Sequence, residues 1–299
     1  MSSAPPAAFA RGSLALSLIA LNTVFWSALL LAFAVVKLVL PFAAVRRRLD
    51  PLLNAIATSW IACNGGILRL TQQRHWDVEG NENLVRDGWY LVTCNHQSWA
   101  DIFVLQQVLS RRVPMLKFFL KQQLIYVPVI GLAWWALDFP FMRRHGKSAL
   151  AKHPELRHRD RDATRRACER FRLVPTSVMS FPEGTRFTAA KHAAQSAPYR
   201  HLLRPKAGAL AMSLEAMGAQ FESMLDVTVV YPQGAPTFWE FLCGRGGGVV
   251  VRVAQVPIPA EFRSGDYAAD NAYRQRFHGW VEALWRAKDE QIERLMHPA

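Results

Sequence analysis

The stretch Trp89–Ser110 reads WYLVTCNHQSWADIFVLQQVLS, and its pattern changes once, from strand to helix. Its first part, Trp89–Cys94, is a short apolar run of residue types that favour β-strands. A helical pattern follows from Ser98 to about Ser110. A strand that passes through a short polar loop into a helix is the unit of an α/β domain, whose functional loops lie at strand ends.

The same alternation of strand and helix continues along the chain. Short strands are predicted at Phe139–Met142, Ser177–Phe181, Val227–Tyr231 and Val249–Ala254, and helices at Asp160–Arg172, Lys206–Met217 and Tyr273–Leu295. We therefore expect an α/β fold with a mixed sheet flanked by helices, forming a cytoplasmic domain over residues 75–299.

A long apolar segment precedes this domain. Leu14–Val36 carries no charge, and about 20 such residues suffice to cross a bilayer core. A signal peptide is the main alternative, but its apolar region usually spans only about 7–15 residues. Lys37 and Arg46–Arg48 follow the segment, so the positive-inside rule places the rest of the chain in the cytoplasm. Residues 1–45 are therefore predicted to anchor the protein in the cell's inner (cytoplasmic) membrane, with a buried or interfacial helix as the remaining alternative.

A second apolar segment, Pro51–Leu70, is weaker as a membrane span because it contains the Gly65-Gly66 pair and Arg69. For residues 46–74 we expect an interfacial or re-entrant helical segment. A helix packed on the domain core is an equal alternative.

The composition and net charge restrict the class of protein and the kinds of partner that it can bind. Hydrophobic residues make up 51% of the 299 residues and charged residues 20%, which excludes a disordered chain. The formal net charge of +13 predicts a polyanionic partner: nucleic acid, an anionic membrane surface or a phosphorylated substrate. The four cysteines are dispersed without a Cys-x-x-Cys pair, so we expect neither a metal site nor a disulfide framework.

The first chemical signal is the loop Asn95–Asp101, NHQSWAD. On one continuous helix, five residues correspond to about 140° of rotation, so His96 and Asp101 would not share a face. If His96 lies in the loop, the carboxylate can point back to the imidazole, and Ser98 to Asp101 has the pattern of a capping box that starts the helix at Ser98. A carboxylate bonded to one ring nitrogen fixes the tautomer and leaves the other nitrogen as a general base. The alternative is that Asp101 only caps its helix and His96 is an ordinary loop histidine.

The second signal is the loop Phe181–Arg186, FPEGTR, at the end of another predicted strand. Gly184 allows the backbone to approach a ligand. Arg186 can bind a phosphate bidentately, and Thr185 and backbone N–H groups add donors. Glu183 has no favourable charge contact with a phosphate, so we expect it to accept from a ligand hydroxyl or to hold the arginine. The alternative is a turn with a surface ion pair.

Together these blocks resemble the 1-acylglycerol-3-phosphate acyltransferase family, which pairs an N-H-x4-D block with a downstream F-P-E-G-T block. Weaker blocks match in the same order: Val127–Gly131 with Asp138–Arg144, then Lys206–Gly208, then Val227–Pro232. The resemblance covers roughly residues 75 to 255. It departs from the family at Phe139–Met142, where many members carry a more β-branched stretch. Of the doublet that follows, Arg143 aligns best with the family's arginine.

The resemblance implies a membrane-bound O-acyltransferase with His96 as general base and Asp101 as its partner. It implies substrate-binding roles for Glu183, Gly184, Thr185, Arg186, Arg143 and Lys206. The acyl donor would be acyl-CoA or acyl carrier protein as co-substrate, with no other cofactor. The default acceptor is the membrane lipid 1-acyl-sn-glycerol-3-phosphate, and lysophosphatidylglycerol or another lysophospholipid would use the same pair.

Other classes of protein fit less well. A hydrolase could use Ser98 or Ser180 as nucleophile with His96, but neither serine lies in a G-x-S-x-G elbow. Basic residues crowd the run Arg143–Arg172, yet it contains no recognised nucleic-acid module. The membrane anchor argues for anionic lipid, and against nucleic acid, as the polyanion.

Overall fold

The structure is a computed structural model that describes residues 6–40, 42–72, 74–142, 171, 174–267 and 269–297. The helices are α1 (Pro6–Val39), α2 (Ala43–Thr71), α3 (Ala100–Leu109), α4 (Ile130–Ala136), α5 (Ala189–Gln195), α6 (Gly208–Met217), α7 (Phe238–Leu242) and α8 (Asn271–Met296). The strands are β1 (Trp76–Glu79), β2 (Tyr90–Cys94), β3 (Leu116–Phe118), β4 (Leu120–Lys121), β5 (Phe141–Met142), β6 (Ser177–Ser180), β7 (Ser223–Val230) and β8 (Val249–Val256). Single 3₁₀ turns cover Gln122–Tyr126 and Ala260–Phe262.

A six-stranded mixed sheet in the order β1-β8-β7-β2-β6-β3 forms the centre of the domain. Strand β2 pairs in parallel with both β6 and β7, and β7 pairs antiparallel with β8. All five residues of β2 are buried, as expected for a strand covered on both faces. Because β2, β6 and β7 are parallel, their carboxyl ends meet at one edge of the sheet, where the two polar loops begin.

Helices cover both faces of the sheet. On one face, Val104 and Leu105 of α3 pack with Val92 and Val227 of the strands, together with residues of α1 and α2. On the other face, α6 and α8 pack against Leu91, with Phe277 at the centre. The fold class predicted from the sequence, a mixed sheet flanked by helices, is confirmed.

Helix α1 is long and apolar enough to cross a membrane by length and composition. It also contacts the domain at both ends, where Phe9 packs on Trp239 at 5.5 Å between ring centroids and the Lys37 amine lies 2.5 Å from the Asp138 carboxylate. These two residues are about 42 Å apart along the helix axis, which exceeds the ~30 Å hydrocarbon core. Helix α1 is therefore fixed to the domain at both ends, and its position in a membrane stays a prediction.

Helix α2 includes the whole predicted segment Pro51–Leu70 and packs along α1. The Asn22 amide donates to the Asn64 side chain at 2.8 Å and to the Trp60 carbonyl at 3.1 Å. The buried face of α2 includes Leu53, Ile56, Ala57, Ile61 and Leu68. The alternative of a helix packed on the core therefore holds for this face, while an interfacial position of the opposite face stays a prediction.

Several element boundaries differ from the predictions. Helix α3 begins at Ala100 instead of Ser98. Strand β5 is limited to Phe141–Met142, and it pairs with β4 outside the main sheet. Strand β7 begins at Ser223 because Asp226 is accommodated inside it, accepting from the Thr93 hydroxyl at 2.6 Å and pairing with the Lys288 amine at 3.0 Å. The helix predicted at Asp160–Arg172 lies outside the described residues, apart from Phe171.

Candidate active site

The two polar loops meet at the carboxyl ends of β2 and β6. The Phe187 N–H donates to the His96 carbonyl at 2.7 Å, which ties the loop after β6 to the loop after β2. The imidazole of His96 also stacks on the ring of Phe181, with centroids 4.1 Å apart and an interplanar angle of 16°. Two motifs that are far apart in the sequence therefore form one site, because their strands are neighbours in the sheet.

The His96 ring and the Asp101 carboxylate are in direct contact, as the spacing predicted. His96 Nδ1 lies 2.9 Å from Asp101 Oδ2, and this oxygen also accepts the N–H groups of Gln97 at 2.7 Å and Ser98 at 2.9 Å. Asp101 is fully buried, while the His96 side chain is 12% exposed. The carboxylate is therefore fixed by the loop itself, and Nε2 is the ring nitrogen that faces away from it.

The predicted capping box at Ser98 forms only in part. The Asp101 carboxylate accepts the Ser98 N–H, but the Ser98 hydroxyl accepts from Ala100 at 3.1 Å instead of from Asp101. The hydroxyl also donates to the Pro236 carbonyl at 2.5 Å and is buried. The hydroxyl is therefore used as a donor and as an acceptor within the protein, and this arrangement does not favour Ser98 as a hydrolase nucleophile.

A tyrosine that the sequence reasoning missed completes the surroundings of Asp101. The hydroxyl of Tyr231, directly after β7, donates to Asp101 Oδ1 at 2.7 Å. Burial and the neighbouring Asp101 carboxylate raise the pKa of Tyr231 well above its usual value, so the phenol stays a proton donor. Each oxygen of Asp101 therefore accepts at least one hydrogen bond, as a buried carboxylate requires.

The structure places Glu183 beneath the loop, and its predicted role towards a ligand hydroxyl or Arg186 stays a prediction. Its side chain is fully buried. One carboxylate oxygen accepts the His96 N–H at 2.8 Å and the other accepts the Leu203 N–H at 3.0 Å. Glu183 thus holds the backbone of the catalytic loop in place. Burial raises the pKa of this carboxyl from 4.5 to about 7.

The remaining predicted binding residues form a cationic surface beside His96. Gly184 has φ +68°, and a side-chain carbon there would lie 3.3 Å from the Lys206 amine, so Lys206 packs directly over the glycine. The Arg186 guanidinium lies 5.0 Å above the ring of Trp99. Arg186 and Lys206 are exposed and able to contact a ligand. Arg143 lies outside the described residues.

A third cation, Lys191 of α5, was missed by the sequence reasoning. Its amine donates to the Thr185 hydroxyl at 2.8 Å and to the Arg186 carbonyl at 2.9 Å. The signal was weak because a lysine five residues beyond the motif resembles any surface lysine. In the folded chain it supports the loop that carries Arg186. We call Arg186, Lys191 and Lys206 the cationic surface.

Asn95 has a structural role that its place in the motif did not reveal. Its amide donates to the Val229 carbonyl at 2.8 Å and accepts the Val229 N–H at 2.9 Å. The side chain thus continues the pairing of β2 with β7 beyond the last strand residue. This pairing places Tyr231, two residues further, beside Asp101.

The arrangement is suited to general base catalysis on a phosphorylated alcohol. A histidine oriented by a buried carboxylate can accept a proton at Nε2, and the adjacent cations can hold a phosphate. Among the described residues, no group of three or more His, Cys, Asp and Glu side chains could hold a metal ion.

Comparisons with known proteins match the part of the chain that contains both loops. The model of the acyltransferase family matches residues 75–232, which is more than half of the chain and includes both loops. The solved structure of the 1-acyl-sn-glycerophosphate (LPA) acyltransferase PlsC from Thermotoga maritima has the same fold, with a TM-score of 0.50 and 18% identity. It covers 94% of this chain, and this chain covers 96% of it.

Curated relatives share the same region at low identity. Mouse 1-acyl-sn-glycerol-3-phosphate acyltransferase gamma is 25% identical over 244 residues, 77% of this chain and 57% of the relative. The human delta enzyme is 24% identical over 233 residues, 73% of this chain and 54% of the relative. The 2-acyl-1-lysophosphatidylinositol acyltransferase of Saccharomyces cerevisiae is 24% identical over 240 residues, 67% of this chain and 60% of the relative. The chain thus spans little more than half the length of these relatives.

Proposed function

The chain belongs to the acyltransferase family, and on this premise we propose that it transfers a fatty acyl group from a thioester donor to the hydroxyl of a lysophospholipid. The donor is acyl-CoA or acyl carrier protein, and the preferred acceptor is 1-acyl-sn-glycerol-3-phosphate, which gives phosphatidic acid. The observation that carries the proposal is the 2.9 Å contact between the buried Asp101 and His96, whose side chain is 12% exposed at a strand end.

The reaction requires removal of one proton as the acceptor oxygen attacks. His96 Nε2 takes the proton of the acceptor hydroxyl while the oxygen forms a bond to the thioester carbonyl. Asp101 stabilises the imidazolium that forms. The tetrahedral intermediate then expels the thiolate, and the imidazolium returns its proton to that sulfur. General base catalysis of this kind contributes about 10²–10⁴-fold, and positioning of the two substrates supplies much of the remainder.

The acceptor assignment rests on the cationic surface and on the relatives. A phosphate bound by Arg186 and Lys206 would place the lysophospholipid beside the imidazole. Lys191 would act through Thr185 and Arg186, whose loop it holds. Most of the named relatives are 1-acyl-sn-glycerol-3-phosphate acyltransferases, and one acts on a lysophosphatidylinositol. All these acceptors carry a phosphate, and they differ in the group that is attached to it. Selectivity among them therefore depends on how the site accommodates that group.

The lipid acceptor also accounts for the apolar N-terminal helix. We propose that α1 lies in the inner membrane along its cytoplasmic surface, with Phe25 and Leu21 among its exposed apolar residues in lipid. In a cysteine-free background, a cysteine placed at Ala10 should react with a membrane-impermeant maleimide from the same side as one placed at Arg46. Labelling of position 10 only from the opposite side would show that the helix crosses.

An acceptor panel tests the proposed activity. Purified protein is incubated with one labelled acyl-CoA and, separately, with lysophosphatidic acid, lysophosphatidylglycerol, lysophosphatidylinositol and monoacylglycerol, and products are identified by lipid mass spectrometry. We expect phosphatidic acid to form fastest and monoacylglycerol to react slowest. Acyl transfer to none of the four, with free fatty acid released instead, would contradict the proposal and indicate a hydrolase.

A further inference from the structure

A cavity lies away from the catalytic loops. It has a volume of about 610 Å³ and is enclosed by the C-terminal end of α2, strand β1 and the C-terminal half of α3. None of the residues that line it belongs to Asn95–Asp101 or Phe181–Arg186. We call it the arginine cavity, after Arg69, Arg74 and Arg112, which line it.

The charges around the arginine cavity are unbalanced. Three guanidinium groups line it, and Glu82 is the one acidic side chain in its lining. Arg112 uses one nitrogen for the Asn81 carbonyl at 3.2 Å, and both Arg69 and Arg112 are exposed. Like charges around a concave surface raise the positive potential inside it, so the site favours an anion.

Arg74 contributes a positive charge that is held in place by the protein. Its Nη2 donates to the Arg245 carbonyl at 2.6 Å, and its guanidinium packs on the ring of Phe241 at 4.7 Å. Its Nε and Nη1 atoms are covered by protein and have no hydrogen-bond partner among the described residues. Arg74 therefore adds to the positive potential of the cavity through its charge.

The lining of the cavity is partly polar and partly apolar, and we call its apolar part the apolar wall. Leu68, Trp76, Val78 and Val108 contribute to it. Leu70, next to Arg69 on α2, is 88% exposed, so an apolar residue also lies at the surface beside this end of the cavity. A soluble inorganic anion would leave the apolar wall unused, whereas an aliphatic chain would cover it.

From this combination we infer that the arginine cavity binds a phosphate-bearing amphiphile, with its phosphate on the arginines and its chain along the apolar wall. Arginine suits phosphate because its planar donors match the phosphate oxygens. The ligand is either a diacyl phospholipid of the anionic membrane surface or a soluble single-chain phosphoester. The inference is independent of acyl transfer, because no catalytic residue takes part.

Binding to the full-length protein in an uncharged detergent tests the inference. Dihexanoylphosphatidylglycerol and hexyl phosphate represent the two sources, and dihexanoylphosphatidylcholine is the zwitterionic control. Titration calorimetry gives the affinity, and native mass spectrometry gives the number of molecules bound. An Arg186→Ala/Lys206→Ala background removes both proposed phosphate contacts of the catalytic site, so that the remaining binding is assigned to the arginine cavity.

We expect one bound anion-bearing amphiphile, and an affinity at least about tenfold lower in the double variant Arg69→Gln/Arg112→Gln. The double variant Arg86→Gln/Arg111→Gln removes the same two charges from exposed positions outside the cavity lining, and it should change the affinity less than twofold. Tighter binding of the lipid than of hexyl phosphate assigns the site to membrane phospholipid, and the reverse assigns it to a soluble phosphoester. Equal losses in the two double variants, equal binding of the zwitterionic lipid, or no binding to the folded protein would each overturn the inference.

Discussion

Replacing Asp101 by asparagine separates the charge of the buried carboxylate from its geometry. Oxygen Oδ2 receives the N–H groups of Gln97 and Ser98 at 2.7 and 2.9 Å. An asparagine must place its carbonyl at this position, because the reverse orientation would set its NH₂ group against two N–H donors. The NH₂ group then faces the Tyr231 hydroxyl, which can accept a hydrogen bond. The variant should therefore keep the loop and the His96 tautomer, and lose only the negative charge.

The effect on kcat of losing this charge depends on the hydrogen bond between Asp101 and the imidazolium form of His96. A hydrogen bond to a charged group contributes about 1.5–3 kcal/mol. Losing the charge-assisted part at the stage where His96 is protonated should lower kcat about 10- to 100-fold, without raising KM for acyl-CoA or the acceptor. The assay is initial rate against each substrate in turn, with thermal unfolding followed by circular dichroism as the measure of folding.

Tyr231→Phe is the matched control for Asp101→Asn. It removes one hydrogen bond to Asp101 but keeps the charge, so it should lower kcat less than the asparagine variant does. A folded Asp101→Asn protein with kcat within twofold of wild type would refute the reasoning, and would leave Asp101 only the role of fixing the loop.

Two further predictions concern the second loop. Arg186→Ala should raise KM for lysophosphatidic acid strongly, while monoacylglycerol turnover changes little. Arg186→Lys should recover only part of the lost affinity. Arg204→Ala is the control, because Arg204 is an exposed arginine whose side chain donates to the Gln195 carbonyl. An equal loss with both acceptors would assign Arg186 to the shape of the loop. The pKa of Glu183 is raised to about 7, so ionisation of this carboxyl destabilises the folded protein. The stabilisation that comes from protonated Glu183 is complete below about pH 4.5 and is lost as the pH rises through 7. The test is the free energy of unfolding, measured by urea denaturation from about pH 5 to 8. Over this range it should fall by up to about 3 kcal/mol more in the wild type than in Glu183→Gln. The same pH dependence in both proteins would contradict the prediction.

The residues proposed to take part in the reaction could be predicted from the sequence, whereas the residues that hold them in position could not. His96 and Asp101 are close in the chain, so a strand, a loop and one helical turn suffice to bring them together. Tyr231 lies 130 residues after Asp101, and only the pairing of β7 with β2 makes it a partner. Its position in an apolar strand block gave no indication of a polar role.

Glu183 shows a different limit of sequence reasoning. A glutamate in a polar loop before glycine and arginine suggests an exposed side chain. Its burial depends on Leu203 and on the backbone of the other loop, both of which arrive only when the domain is folded. The end of helix α1 is a similar case, because the pairing of Lys37 with Asp50 and Asp138 depends on the fold and could not be predicted from the flanking charge alone.

The central claim, that His96 is the general base for acyl transfer, is tested most directly by the His96→Ala variant. Single-turnover transfer from acyl-CoA to lysophosphatidic acid is measured for the wild type and for a variant with an unchanged melting temperature and unchanged membrane binding. The account predicts a rate reduced at least about 10²-fold, with acceptor binding retained because the cationic surface is intact. A folded His96→Ala variant that transfers the acyl group at a rate close to wild type would contradict it.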